Sequence, residues 1–170
     1  MIYNGRIMQL YKDEVELENG KKSVREYIRH SGGSSVLAVD ENENVFLVRQ
    51  FRYPYASETV EIPAGKREKG EDPLVCAKRE LEEETGLVAS DYRLIATVYP
   101  TPAYTDETLY VYLATGLKTT AAHLDDGEFL DVEKVPFEKA YAMAKCGEIR
   151  DSKTLVAIYA YAAEKARGEM

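Results

Sequence analysis

Residues Arg79 to Gly86, RELEEETG, carry four glutamates in eight positions. Like charges at helical spacing repel one another, and negative charge near a helix C-terminus opposes the macrodipole. A helix advances about 100° per residue, which puts Glu80, Glu83 and Glu84 on one side and turns Glu82 away. A Glu-rich helix is usually a solvated face. These three acids, however, lack lysines at i+4, and Arg79, four residues before Glu83, is their one close cation. A hard divalent cation would relieve the crowding, because Mg²⁺ takes carboxylate, water and phosphate oxygens as ligands. On charge pattern alone, both the metal site and the solvated face stay open.

The elements that must position these acids follow from patterning. Asp72 suits an N-cap, Pro73 the first helical position, and Gly86 the stop. Between them Leu74, Ala77 and Leu81 recur at the spacing of a buried face. The preceding loop, IPAGKREKGED, has two glycines that let backbone approach a ligand closely. Upstream, residues 6–17 and 23–30 read as strands joined at Asn19-Gly20, a hairpin signal. A Ser-Gly-Gly-Ser break follows, then SSVLAVD and VFLVRQF as strands about the turn ENEN, then TVEIPAG as a short strand. Downstream, YRLIATV and ETLYVYLAT read as strands, EFLDVEKV as a strand or strand-loop, and residues 136–147 and 152–168 as helices. The expected fold class is therefore α/β, with a domain over 33–170 and an N-terminal β arm over 1–32. The arm either packs on a partner subunit or extends the main sheet.

Composition narrows the function classes. A chain of 170 residues suits one well-packed domain. The net charge of −8 argues against a general nucleic-acid binder, though not against an anionic small molecule met through cations. No apolar run is long enough to cross a membrane, and no basic-then-apolar leader is visible, so the expectation is a cytoplasmic protein. Cys76 and Cys146 are expected to be buried thiols, being far apart and outside any Cys-x-x-Cys unit. With only His30 and His123, a zinc site or a Ser-His-Asp arrangement has little to build on.

Residues 65 to 87, GKREKGEDPLVCAKRELEEETGL, resemble the Nudix box. Gly65, Glu71, Arg79, Glu80, Leu81, Glu83, Glu84, Gly86 and Leu87 fill each of its fixed positions. The flanks VFLVRQFRYP, TVEIPAGK, TPAYTDE and DDGEFLDV resemble the ADP-ribose pyrophosphatase branch of that family. Pro102, fifteen residues past Leu87, falls where that branch carries a proline. The resemblance implies a Nudix-type α/β/α sandwich with a mixed sheet. It also implies Mg²⁺-dependent hydrolysis of a nucleoside diphosphate derivative, with Mn²⁺ as a substitute ion. Glu80, Glu84 and the Ala64 carbonyl would ligate metal, Glu83 would join them or bridge through water, and Arg79 would orient the glutamates. Glu71 would support the loop and helix, and Glu128 would be the general base. Arg52 would bind adenosine or phosphate, and Glu107 would contact the ribose side. Arg25 and Glu26 would act from the β arm across a homodimer.

One departure is Ala103, where the branch usually has Gly after that proline; the substrate end of the pocket formed by Pro102 and Ala103 is expected to differ accordingly. ADP-ribose, cleaved to AMP and ribose 5-phosphate, is the substrate the resemblance favours. The alternatives are a nucleotide-sugar such as GDP-mannose, a dinucleoside polyphosphate or an oxidised nucleotide. A non-catalytic ADP-ribose-binding module would be expected to lose box glutamates, and all are present. A Ca²⁺-buffering domain would not explain the spacing, and there is no EF-hand pattern.

Overall fold

The computed structural model describes residues 1–120 and 129–168. Its centre is a four-stranded mixed sheet made of β4 (Gly33–Ala38), β7 (Ala64–Lys66), β8 (Leu87–Val98) and β9 (Leu109–Thr119), in the order β7-β4-β9-β8. The pair β4–β9 is parallel, and both strands are flanked by antiparallel neighbours. All six residues of β4 are buried, as expected of a strand covered on both faces. Alternation divides the core in two. Val36, Ala38, Tyr112 and Ala114 pack with Ala77 and Leu81 of α1 (Pro73–Thr85). Leu37, Val39, Val111 and Leu113 pack with Phe137 and Ala140 of α2 (Phe137–Cys146) and Ala157 and Ile158 of α3 (Ser152–Arg167). A period of two along each strand thus places helices on opposite faces, which is the α/β/α sandwich.

A second sheet, in the order β10-β5-β6, joins β5 (Asn44–Arg52), β6 (Ser57–Glu61) and β10 (Leu130–Pro136), all antiparallel. The ENEN turn entering β5 is held by Asp40, whose Oδ1 accepts from the amides of Asn42 and Asn44 at 2.9 and 2.8 Å. TVEIPAG, expected as one strand, is split: Glu61 ends β6 in the second sheet, and Ala64 begins β7 in the first. Between them Ile62 is fully buried and Pro63 can donate no amide, while the Pro63 carbonyl accepts from Val36 N at 2.9 Å. The strand expected from Tyr92 starts earlier, at Leu87, directly after the helix stop.

The first residues form a third sheet of their own, β1 (Tyr3–Asn4), β2 (Gln9–Glu16) and β3 (Lys22–Arg29), and do not extend the main sheet. The base of this arm is stitched to the loop before β9. Ile28 N donates to the Tyr104 carbonyl at 2.8 Å, and Asp106 N to the Ile28 carbonyl at 3.2 Å. Cys76 is buried as expected, but Cys146 is exposed, because it ends α2 on the side away from the core. No helix among the described residues is long and apolar enough to cross a membrane.

Candidate active site

The site is built where α1 crosses β7. Asp72 caps the helix through the amides of Leu74 and Val75 at 2.8 and 3.4 Å, and Ser34 Oγ donates to the Pro73 carbonyl at 2.7 Å, tying the helix start to β4. At the other end Gly86, at φ 64°, returns its amide to the Glu82 carbonyl. With both ends set, Cys76, Glu80 and Glu84 lie at successive i+4 positions and all three are buried. Glu80 and Glu84 therefore do not form a surface stripe as their charge had suggested. They sit on the packed side of the helix, over β7. A Cβ on Gly65 would lie 2.0 Å from the Glu80 carboxylate, so any other residue there would force the Glu80 side chain out of this position. The Glu84 carboxylate accepts from Ala64 N at 3.0 Å.

Arg79 organises the remainder. Its Nη1 donates to Glu80 at 2.7 Å and Glu83 at 2.9 Å, and its Nε and Nη2 form a fork on Glu71 at 3.0 and 3.1 Å. The hydrogen bonds to Glu71 hold this guanidinium firmly protonated, and Arg79 in turn keeps the Glu71 carboxyl below its ordinary range. Glu71 also accepts from Glu68 N at 2.8 Å, which braces the loop before the helix. Glu82 stands apart from this set and lies near Tyr92 on β8, whose hydroxyl is pushed up by burial and, to a smaller extent, by the Glu82 charge. Burial, with the charges of Glu71 and Glu80, pushes the Cys76 thiol up to about 11, so it is no nucleophile.

Of the sequence-predicted residues, Ala64, Arg79, Glu80, Glu83 and Glu84 come together with Glu71. Their donor chemistry, carboxylates and a backbone carbonyl, is all hard oxygen and fits a divalent cation. Among the described residues no three acidic, histidine or cysteine side chains already converge at ligating distances; Arg79 is the cation that Glu80 and Glu83 share. Pro102 and Ala103 are exposed on the loop stitched to the arm base. Glu107 Oε1 stands 3.2 Å from His30 Nδ1. Arg25 and Glu26 are exposed on β3, where Arg25 bonds Ser23 Oγ at 3.0 Å and Glu26 pairs with Lys12 at 3.7 Å, so neither joins the glutamates in this chain. Glu128 lies outside the described residues.

Arg52 grips Glu61 through Nε and Nη2, both at 2.7 Å. Sequence reasoning missed the rest of this cluster: Glu61 is 2% exposed and is also bonded by Lys153 of α3 and by Thr59 Oγ1. The available signal was Asp151-x-Lys153, an N-cap followed by a lysine in the first helical turn, where the macrodipole disfavours a cation. Burial pushes the Glu61 carboxyl up. The Arg52 hydrogen bonds and the Lys153 charge outweigh it and bring it down to about 2.

This arrangement, a capped acidic helix laid over a glycine strand in an α/β/α sandwich, has a family. The NUDIX domain matches residues 30–157, and the chain belongs to that family. It is 43% identical over 159 residues to a methanol dehydrogenase activator of Bacillus methanolicus, with 92% of this chain and 86% of the relative covered. Identity and coverage are the same with an ADP-ribose pyrophosphatase of Bacillus subtilis (strain 168). A crystal structure of an ADP compounds hydrolase shares the fold with a TM-score of 0.85 at 20% identity, covering 99% of this chain and 92% of that one.

Proposed function

We propose that the protein hydrolyses the pyrophosphate bond of ADP-ribose, releasing AMP and ribose 5-phosphate, with Mg²⁺ as its ion and Mn²⁺ as a substitute. The observation that carries the reading is the full set of box glutamates held together beside β7, with Glu71, Glu80 and Glu83 on Arg79 and Glu84 on the Ala64 amide. The similarity to an ADP-ribose pyrophosphatase over nearly the whole chain supports the substrate. Glu80, Glu84 and the Ala64 carbonyl would hold the ion, with Glu83 beside them. A divalent ion so held polarises phosphoryl oxygens and acidifies water.

The chain's own residues do the remaining work. Arg79 keeps three carboxylates in register although they repel one another. Glu128, assigned from the resemblance alone, accepts the proton of the attacking water. Arg52 supplies positive charge for the substrate, while Pro102, Ala103 and Glu107 border its ribose end. Arg25 and Glu26 act on a partner subunit's site. The arm over 1–32 is read as a dimer-forming unit beside the domain over 33–170. It exposes Met1, Ile2, Tyr3, Ile7, Met8 and Val24, an apolar surface that a free three-stranded sheet would not keep in water. Such a protein would work in the cytoplasm.

The test is product analysis. Purified protein with Mg²⁺ is given ADP-ribose, GDP-mannose and a dinucleoside polyphosphate, and the products are separated by chromatography. AMP from ADP-ribose, at the highest kcat/KM of the panel, is expected. Absence of AMP would overturn the assignment.

A further inference from the structure

The Glu61 cluster lies beside the box glutamates but is not part of them. Each oxygen of the Glu61 carboxylate accepts twice. Oε1 takes Arg52 Nε at 2.7 Å and Thr59 Oγ1 at 2.6 Å, while Oε2 takes Arg52 Nη2 at 2.7 Å and Lys153 Nζ. A carboxylate offers about four acceptor positions, so this one is full. Its plane is fixed by partners from β5, β6 and α3 together. The far end of the cluster is sealed: Lys153 is 7% exposed and also pairs with Asp151 at 3.0 Å. The near end is open, for the Arg52 side chain keeps 40% of its surface exposed. A guanidinium has five N–H donors, and Glu61 takes two. No other acceptor among the described residues takes the remaining three. Glu61 stands three residues before Ala64, whose amide Glu84 accepts, and Arg52 feels the charges of Asp151 and Glu84.

A bidentate contact makes the guanidinium coplanar with its carboxylate, so whatever fixes the plane of Glu61 fixes Arg52. We propose that Lys153 is a positioning residue: by filling the last acceptor position of Glu61 it holds the carboxylate plane, and through it the Arg52 guanidinium whose remaining N–H groups bind a phosphate oxygen of the nucleoside diphosphate substrate. The same helix turn holds the adjoining backbone, since Thr154 Oγ1 accepts from Ile62 N at 2.9 Å and donates to Asp151 at 2.6 Å. The C-terminal helix, remote in sequence from the box, thereby helps to set both the anion-binding arginine and the strand that leads to Ala64. This inference rests on the function proposed above.

A double-mutant cycle on the full chain tests it. KM and kcat for ADP-ribose are measured with Mg²⁺, and ADP-ribose binding is measured by calorimetry in metal-free buffer. Lys153→Met should raise KM and Kd about tenfold with kcat within about threefold, because it misplaces a binding group rather than the chemistry. In an Arg52→Ala background the same change should add less than about twofold, and Lys153→Arg should restore most of the binding. If Lys153→Met does not fold, Lys153→Gln, which keeps a donor near Glu61, takes its place in the cycle. Equal effects in both backgrounds, or unchanged KM and Kd, would overturn the positioning role. Binding without cleavage by the unaltered chain would overturn the proposed function while the binding cycle still judged Lys153; no binding at all would sink both.

Discussion

Arg79 donates to Glu71, Glu80 and Glu83 at once, and the one box carboxylate it leaves to another donor is Glu84. That division makes Glu84 the cleanest probe of the proposed metal site. Glu84→Gln removes a charge and a ligand but keeps an oxygen that can accept from Ala64 N. Turnover should fall by at least about 100-fold, while stability to urea changes by less than about 1 kcal/mol. Glu82→Gln, on the side facing Tyr92, should leave both within about twofold. An unfolded or fully active Glu84→Gln would show that the role is wrong. Residue types and spacing were enough to separate Glu82 from the other three. They could not reveal that Glu80 and Glu84 are buried, because burial depends on how α1 packs over β7, which a helical wheel does not contain.

At the scale of elements, α1 was legible because each of its signals is local: Asp72 and Pro73 at one end, Gly86 at the other, and an apolar period between. The split of TVEIPAG was not legible, since the change of sheet at Ile62-Pro63 is dictated by where two sheets lie in space. Glu61, at the end of β6, is the clip between β5 and α3, and it has a pH signature. Its carboxyl is depressed in the fold, from 4.5 to about 2. A depressed carboxyl contributes stability that is full above about 4.5 and is lost as pH falls through about 2. The interval corresponds to about 3 kcal/mol. Urea unfolding at steps from pH 6 to pH 2.5 should show this loss concentrated below pH 4.5. A wild-type profile as flat there as that of Glu61→Gln would contradict the clip.

For the molecule as a whole, a net charge of −8 must coexist with the anionic substrate proposed, which places weight on the cation proposed to meet it, Arg52. The arm poses the other whole-molecule question. Two of its three strands, β2 and β3, were readable about the Asn19-Gly20 turn while β1 was not, and what covers its apolar side could not be read from one chain. Light scattering should give a mass of twice the 19.2 kDa chain, and a single-chain mass at micromolar concentration would refute the dimer. Gly65 carries a different lesson. It bears no functional group, yet one added carbon there would collide with the Glu80 carboxylate. Alanine scanning reads importance from what is taken away at most positions, but here Gly65→Ala adds the very carbon that meets Glu80. An engineer reshaping this pocket should expect any side chain placed at Gly65 to displace the Glu80 carboxylate.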